Sequence, residues 1–210
     1  MRQTILITLL LTAMIACKDK KSTTQETTTQ EAETKPSTMK GDDKKPLEYL
    51  SEVTWFSLPE VLEMQKATPK PIMIDVYTEW CGPCKALSKN TFGDVRVAKY
   101  LNENFYCVKF DAECGDTLKY GGNTYTNPEF KAGVAGRKPA HQFTRFLGVS
   151  GYPTLYFMDK DAKSIGPVVG YKTPAQIEIF LHYFAEEKHK TILTPEQWAE
   201  YEKGFVVTWN

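Results

Sequence analysis

Two cysteines stand two residues apart in the run Glu79-Trp80-Cys81-Gly82-Pro83-Cys84-Lys85. At that spacing their thiols reach each other across one helical turn, closing a small disulfide or opening to a dithiol. The preceding run, Ile72-Met73-Ile74-Asp75-Val76-Tyr77, reads as a buried strand, and the following Lys85 to Lys89 as helix. Cys81 then falls at a helix N-terminus, where free N–H groups and the macrodipole stabilise a thiolate. Cys84, one turn further in, is expected to be shielded and to serve as the resolving thiol. The competing reading is half of a zinc site. Tetrahedral zinc needs four ligands, and no second Cys-x-x-Cys exists in the chain. No metal is therefore expected.

Asp75 is the second candidate. An acid in an otherwise apolar central strand is costly unless it is protonated or paired. Burial should raise its pKa and let it exchange a proton with Cys84 near neutral pH. The bland alternative is a strand-end acid bonded to backbone. Lys109 is a possible partner, but not the favoured one.

The segment Asp75 to Lys85 resembles the active-site segment of thioredoxins. A second stretch, Val149-Ser150-Gly151-Tyr152-Pro153-Thr154-Leu155, resembles the thioredoxin segment in which a cis-proline faces the cysteines. The resemblance spans about residues 47 to 188. It implies an α/β thioredoxin fold, a central mixed sheet flanked by helices. It also implies disulfide exchange with Cys81, Cys84 and Asp75 as the catalytic residues and no cofactor beyond the redox-active disulfide. Trp80 would form an aromatic wall beside Cys81. Together with Gly82, Pro83, Tyr152 and Pro153 it would hold a client peptide, which adds like a short strand to the backbone at Tyr152. Gly82-Pro83 resembles the dipeptide of reducing thioredoxins, not the histidine-containing dipeptide of strong oxidants. The segment Thr91 to Phe105 is more like thioredoxin-like proteins of bacterial envelopes.

The N-terminus reads as a targeting segment. Arg2 is followed by the apolar run Ile5 to Ile15, too short for a permanent membrane span. It ends Met14-Ile15-Ala16-Cys17, which resembles a bacterial lipoprotein signal with Cys17 as the lipidated mature N-terminus. A plain secretory signal and an uncleaved anchor are the alternatives. Residues 1–16 are thus expected to be the signal, and 17–46, rich in Thr, Lys, Glu and Gln, a disordered tether. Residues 47–188 would form the thioredoxin-like domain and 189–210 a C-terminal extension. The chain carries 26 basic and 26 acidic residues, so its charge gives no sign of nucleic-acid binding.

Along the domain, strands are expected at Val53–Phe56, Ile72–Tyr77, Phe105–Phe110, Thr154–Met158 and Ile165–Tyr171. Helices are expected at Leu58–Lys66, Pro83–Asn90, Val95–Asn102, Pro139–Leu147, Pro174–Glu187 and Pro195–Lys203. Residues 112–138 are an insertion, read as a loop without regular structure. It leaves the C-terminal end of a strand parallel to the one feeding Cys81, and so should begin at the active-site edge. Packing on the flank is the alternative. Cys107 reads as a core residue, Cys114 as an extra thiol at the start of the insertion, and His141, His182 and His189 as surface or helix residues.

The function expected is a membrane-anchored thiol–disulfide oxidoreductase of the bacterial envelope, facing the periplasm. It would reduce disulfides of other envelope proteins with electrons from a membrane thiol donor. An oxidase or isomerase, and a binding module without turnover, are the alternatives.

Overall fold

The computed structural model describes residues 52–210. The expected signal, the tether and Cys17 lie outside the described residues. The elements run β1 (Trp55–Phe56), α1 (Leu58–Ala67), β2 (Ile72–Tyr77), α2 (Gly82–Ala86), a π-helical turn (Leu87–Thr91), α3 (Val95–Asn104) and β3 (Tyr106–Asp111). A hairpin, β4 (Leu118–Tyr120) and β5 (Asn123–Tyr125), follows. Then come α4 (Gln142–Phe146), β6 (Thr154–Met158), β7 (Ser164–Val169), α5 (Pro174–Ala185) and α6 (Pro195–Gly204). The sheet order is β1-β3-β2-β6-β7, with β1, β3 and β2 parallel and β6 and β7 antiparallel to their neighbours.

β2 lies at the centre and is buried on both faces, as its uninterrupted apolar sequence requires. Its alternating side chains divide the core. Ile72, Ile74 and Val76 pack with Val108, Phe110 and Phe143 on one face. Met73 packs with Leu87, Leu101, Phe157, Ile177 and Leu181 on the other. Asp75 shares the face of Met73, and so points toward the layer that contains α2.

Helix starts follow local rules. Ser57, Thr173 and Thr194 each cap a helix in a reciprocal capping box, with proline in the first turn. Three boundaries differ from expectation. β7 ends at Val169 because Gly170 turns the chain at φ +86°. α4 starts at Gln142, not Pro139, because His141 is its N-cap and the preceding backbone is drawn into the insertion. β1 pairs only at Trp55 and Phe56.

The insertion is not the loop without regular structure that was expected. Gly121 and Gly122 both take positive φ (+56° and +78°), the two-residue turn that joins β4 to β5. Tyr120 and Tyr125 then pack on Phe143, at 5.6 and 5.3 Å between ring centroids. The turn is encoded locally, by Tyr120-Gly121-Gly122-Asn123 between short β-prone runs.

The C-terminal tail is held by a buried carboxylate. Glu178 on α5 is 1% exposed and accepts the backbone N–H groups of Thr208 (2.8 Å) and Trp209 (2.9 Å) and the Thr208 hydroxyl. Trp209 packs on Tyr100, and Arg96 donates to the Asn210 carbonyl. Removing an acceptor that serves three donors leaves them unpaired. Glu178→Ala should therefore lower stability by roughly 2–3 kcal/mol in denaturant titrations. A loss within about 0.5 kcal/mol, the range of an ordinary surface change, would show that apolar contacts alone hold the tail.

Candidate redox site

β2 ends at Tyr77, and a tight turn carries the chain into α2, with the Cys81 N–H donating to the Thr78 carbonyl at 3.2 Å. Cys81 is the N-cap of α2, and its Sγ accepts the Cys84 N–H at 3.1 Å. Cys81 and Cys84 are joined as a disulfide, with Cα atoms 5.3 Å apart. Pro83 occupies the first turn, where a missing N–H removes no helical bond. The helix continues as one π-turn to Thr91, and Gly93 closes it tightly: a Cβ there would strike the Lys89 carbonyl.

Exposure does not separate the two sulfurs in the way expected. Cys81 is 3% exposed and Cys84 4%. Position on the helix separates them instead. Cys81 Sγ receives a backbone N–H at the positive end of a helix, an arrangement that stabilises a thiolate there.

Asp75 sits beneath this helix, 1% exposed. Burial raises its pKa; Lys109 opposes the rise by charge and hydrogen bonding. The expectation that Lys109 would not pair with Asp75 is corrected. β2 and β3 place the two directly across from each other, and Lys109 Nζ lies 2.7 Å from Asp75 Oδ2. Lys109 also bonds Ser88 Oγ at 3.0 Å and lies over the Trp55 and Tyr77 rings. Asp75 Oδ1 has no protein partner. A hollow of about 470 Å³, lined by Tyr77, Thr78, Cys84, Ser88 and Lys109 among others, brings solvent to Lys109 and Cys84.

The Tyr152–Pro153 peptide is cis, and Pro153 is buried. The Tyr152 ring meets Trp80 edge-on at 5.9 Å. Gly82 and Pro83 are exposed beside them.

The insertion reaches the same place. Trp80 Nε1–H donates to both carboxylate oxygens of Glu113, each at 3.0 Å. The Arg137 guanidinium lies 4.4 Å from the Trp80 ring centroid, and Lys138 Nζ is 3.5 Å from Glu79. Neither Glu113 nor Arg137 stood out in the sequence, because no local pattern joins them to Trp80. Gly115 is needed here, since the Phe130 ring lies where its Cβ would be. His141, expected as a surface or helix residue, is the fully buried N-cap of α4. Its Nδ1 accepts the Phe143 N–H at 3.0 Å and its Nε2 meets the Asp116 carbonyl at 2.9 Å. A backbone N–H can only donate and a carbonyl only accept, so the ring is the neutral Nε2–H tautomer. It pins the insertion to α4. Cys107 is buried with its pKa raised by burial, and Cys114 is half-buried with the same direction of shift. Among the described residues, no group of three or more His, Cys, Asp or Glu side chains is placed to hold a metal ion.

A family model described as a thioredoxin-like domain matches residues 58–185, more than half of the chain. The chain belongs to the thioredoxin-like family. The two segments that resemble thioredoxins, Asp75–Lys85 and Val149–Leu155, lie at the β2–α2 junction and the start of β6. The chain is similar to the thiol:disulfide interchange protein DsbD of Photorhabdus laumondii, 31% identical over 112 residues, covering 53% of this chain and 15% of that protein. The protein of the same name from Escherichia coli K12 is 30% identical over 94 residues, covering 45% and 13%. This chain thus matches only a small part of the length of those relatives. Among solved structures, a thioredoxin-fold protein from Helicobacter pylori is 16% identical with a TM-score of 0.49, covering 75% of this chain and 90% of that one. A putative disulphide-isomerase from Bacteroides thetaiotaomicron is 29% identical with a TM-score of 0.45, covering 64% and 92%.

The raised pKa of Asp75 makes a stability prediction for this thioredoxin-like domain. The folded protein binds the Asp75 proton more tightly than the unfolded chain does. The stability this contributes is complete below the ordinary carboxylate value of 3.8 and is lost as pH rises through the raised folded value. Asp75→Asn should therefore leave the denaturant midpoint little changed near about pH 3 and raise it near about pH 8. A variant less stable than the parent at the higher pH would mean that pairing with Lys109 outweighs desolvation.

Proposed function

We propose that the protein is a thiol–disulfide oxidoreductase that reduces disulfides of cell-envelope proteins. One observation carries this reading: the Cys81–Cys84 disulfide, with the Cys84 N–H directed at Cys81 Sγ at a helix start. In the reduced protein the Cys81 thiolate attacks a client disulfide. One client sulfur leaves as a thiolate, and Cys81 is joined to the other. Cys84 then attacks Cys81 Sγ, releases the second client thiol and restores the protein disulfide. Two electrons pass from the dithiol to the client. Asp75 accepts the Cys84 proton as that thiol becomes nucleophilic, and Lys109 stabilises the carboxylate when the proton has left. The raised Asp75 pKa supports this role.

A client segment would lie extended along Gly151–Pro153, with Trp80 and Tyr152 as aromatic walls and Gly82 and Pro83 open beside the sulfurs. The reducing direction rests on the Gly82-Pro83 dipeptide, which lacks the histidine of strong oxidants. The names of the relatives, thiol:disulfide interchange proteins, are consistent with exchange chemistry of this kind. The lipoprotein-like sequence Met14-Ile15-Ala16-Cys17 supports attachment to a membrane through lipidated Cys17, with the domain facing the periplasm. Electrons would come from a membrane thiol donor.

Two experiments test this reading. Insulin reduction by the full chain should be abolished by Cys81→Ala, and Cys84→Ala should accumulate client joined to Cys81. The potential of the pair should lie near the roughly −270 mV of reducing thioredoxins; a value near the roughly −120 mV of strong oxidants would reverse the direction. Separately, Cys17→Ser should release the protein from membranes on fractionation. Unchanged retention with an unmodified N-terminus would exclude lipidation.

A further inference from the structure

The outer turn of the insertion surrounds a hollow of about 350 Å³ lined by Glu129, Lys131, Val134, Arg137, Lys138 and Pro139. Its chemistry is uneven. Three cations and one acid border it, and Val134, 48% exposed, and Pro139 supply an apolar wall. Gly133 and Gly136, with φ of +76° and +87°, bend the backbone around Val134. Lys138 is turned to Glu79, but among the described residues Lys131 and Arg137 make no ion pair. The Arg137 guanidinium carbon lies over the Trp80 ring. A guanidinium has five N–H donors, so one held over an aromatic ring still has donors to offer a carboxylate.

Trp80 links this hollow to the chemistry. Its ring is 5.9 Å from that of Tyr152 and 4.4 Å from the Arg137 guanidinium. The Arg137 guanidinium and the Tyr152 ring are thus at most about 10 Å apart, the length of about three extended residues. A chain seated along Tyr152 and passing Trp80 reaches the hollow within a few residues of the cysteine under attack.

We infer that this hollow is a specificity subsite, which selects client segments carrying Asp or Glu about three residues from the reacting cysteine. The inference rests on the exchange activity proposed above. The client carboxylate pairs with Arg137 and Lys131, and an adjacent apolar side chain lies against Val134 and Pro139. The occupant is an acidic peptide because the lining is net positive: among the described residues Lys131 and Arg137 are without an ion-pair partner against one such acid, Glu129, while Glu113 and Glu79 are engaged by Trp80 and Lys138.

The test uses the full chain, reduced with dithiothreitol and desalted. It is mixed with two peptides that differ only in having Asp-Asp or Lys-Lys three and four residues from a single cysteine. That cysteine is held as a mixed disulfide with neutral mercaptoethanol. Single turnovers convert the protein dithiol to its disulfide and release both thiols. The acidic peptide should react roughly fivefold faster at low salt, the size expected of partly exposed ion pairs, with the ratio shrinking in salt. In Lys131→Glu and in Arg137→Gln the ratio should fall toward one; because it is taken within each variant, a general loss of activity cancels. If the parent chain reduces neither peptide, the oxidoreductase reading itself fails. If it reduces both at equal rates, or if the ratio survives in both variants, the exchange activity stands and the subsite is wrong.

Discussion

The parallel register of β2 on β3 is the constraint on which the rest of the site depends. It sets Asp75 opposite Lys109 and ends with Tyr77 opposite Asp111. The next bond, from the Ala112 N–H to the Tyr77 carbonyl at 2.8 Å, launches two loops side by side. One carries Trp80 and Cys81; the other is the insertion. A slip of one residue would turn Asp75 away from the redox helix and bring an apolar side chain under it. It would also part Trp80 from Glu113. The contacts of Glu113, Arg137 and Lys138 with the Glu79–Trp80 turn therefore follow from sheet pairing, not from any attraction that those side chains exert alone.

That register also explains how an ionisable pair is tolerated in the centre of the sheet. Asp75 is buried almost completely, but Lys109 retains 29% of its side-chain exposure. The lysine head keeps part of its hydration and packs its charge against the Trp55, Tyr77 and Phe92 rings. Desolvation thus falls mainly on the carboxylate, which is why the pKa of Asp75 rises despite a cation 2.7 Å away. An acid held this way is poised to carry a proton, while the lysine limits the cost of its ionised state. Cys81 has no such partner: its stabilisation is the backbone N–H at the start of α2.

The parts of this arrangement that are local in sequence were legible in it. The buried strand, the cysteine pair at a helix start, the capped helices and the strand entry at Pro153 each occupy a few adjacent residues. So was the departure point of the insertion, because it depends only on two strands being parallel. What escaped was set by tertiary contact. His141 looks polar and unpartnered in sequence, yet it is buried because it is both the cap of α4 and a donor to Asp116. Lys109 was not the favoured partner because its register differs from that of the thioredoxins the sequence resembles, yet the sheet sets it opposite Asp75. Glu178 looks like a charged residue on an apolar helix; its role exists only because the tail returns from thirty residues downstream to meet it. The Gly121-Gly122 turn was local, and its neglect came from treating glycine-rich sequence as shapeless.

Under the proposed exchange with extended clients, the insertion would supply what the groove lacks. Recognition of an extended segment along Gly151–Pro153 would rest on backbone hydrogen bonds, which every peptide offers equally. Both sulfurs are nearly inaccessible, so shape near them excludes bulky approaches but does not choose among flexible ones. Discrimination must then come from side chains of the client that lie beyond the reacting cysteine. Trp80 is the place where such discrimination can be coupled to the chemistry: its indole N–H is fixed by Glu113, one ring contact is Tyr152, and another is Arg137. Fixing that ring from the insertion makes the insertion part of the rim of the groove. On that reading, the Arg137 guanidinium over Trp80 is a contact that a loop covering only the flank of the sheet would not supply.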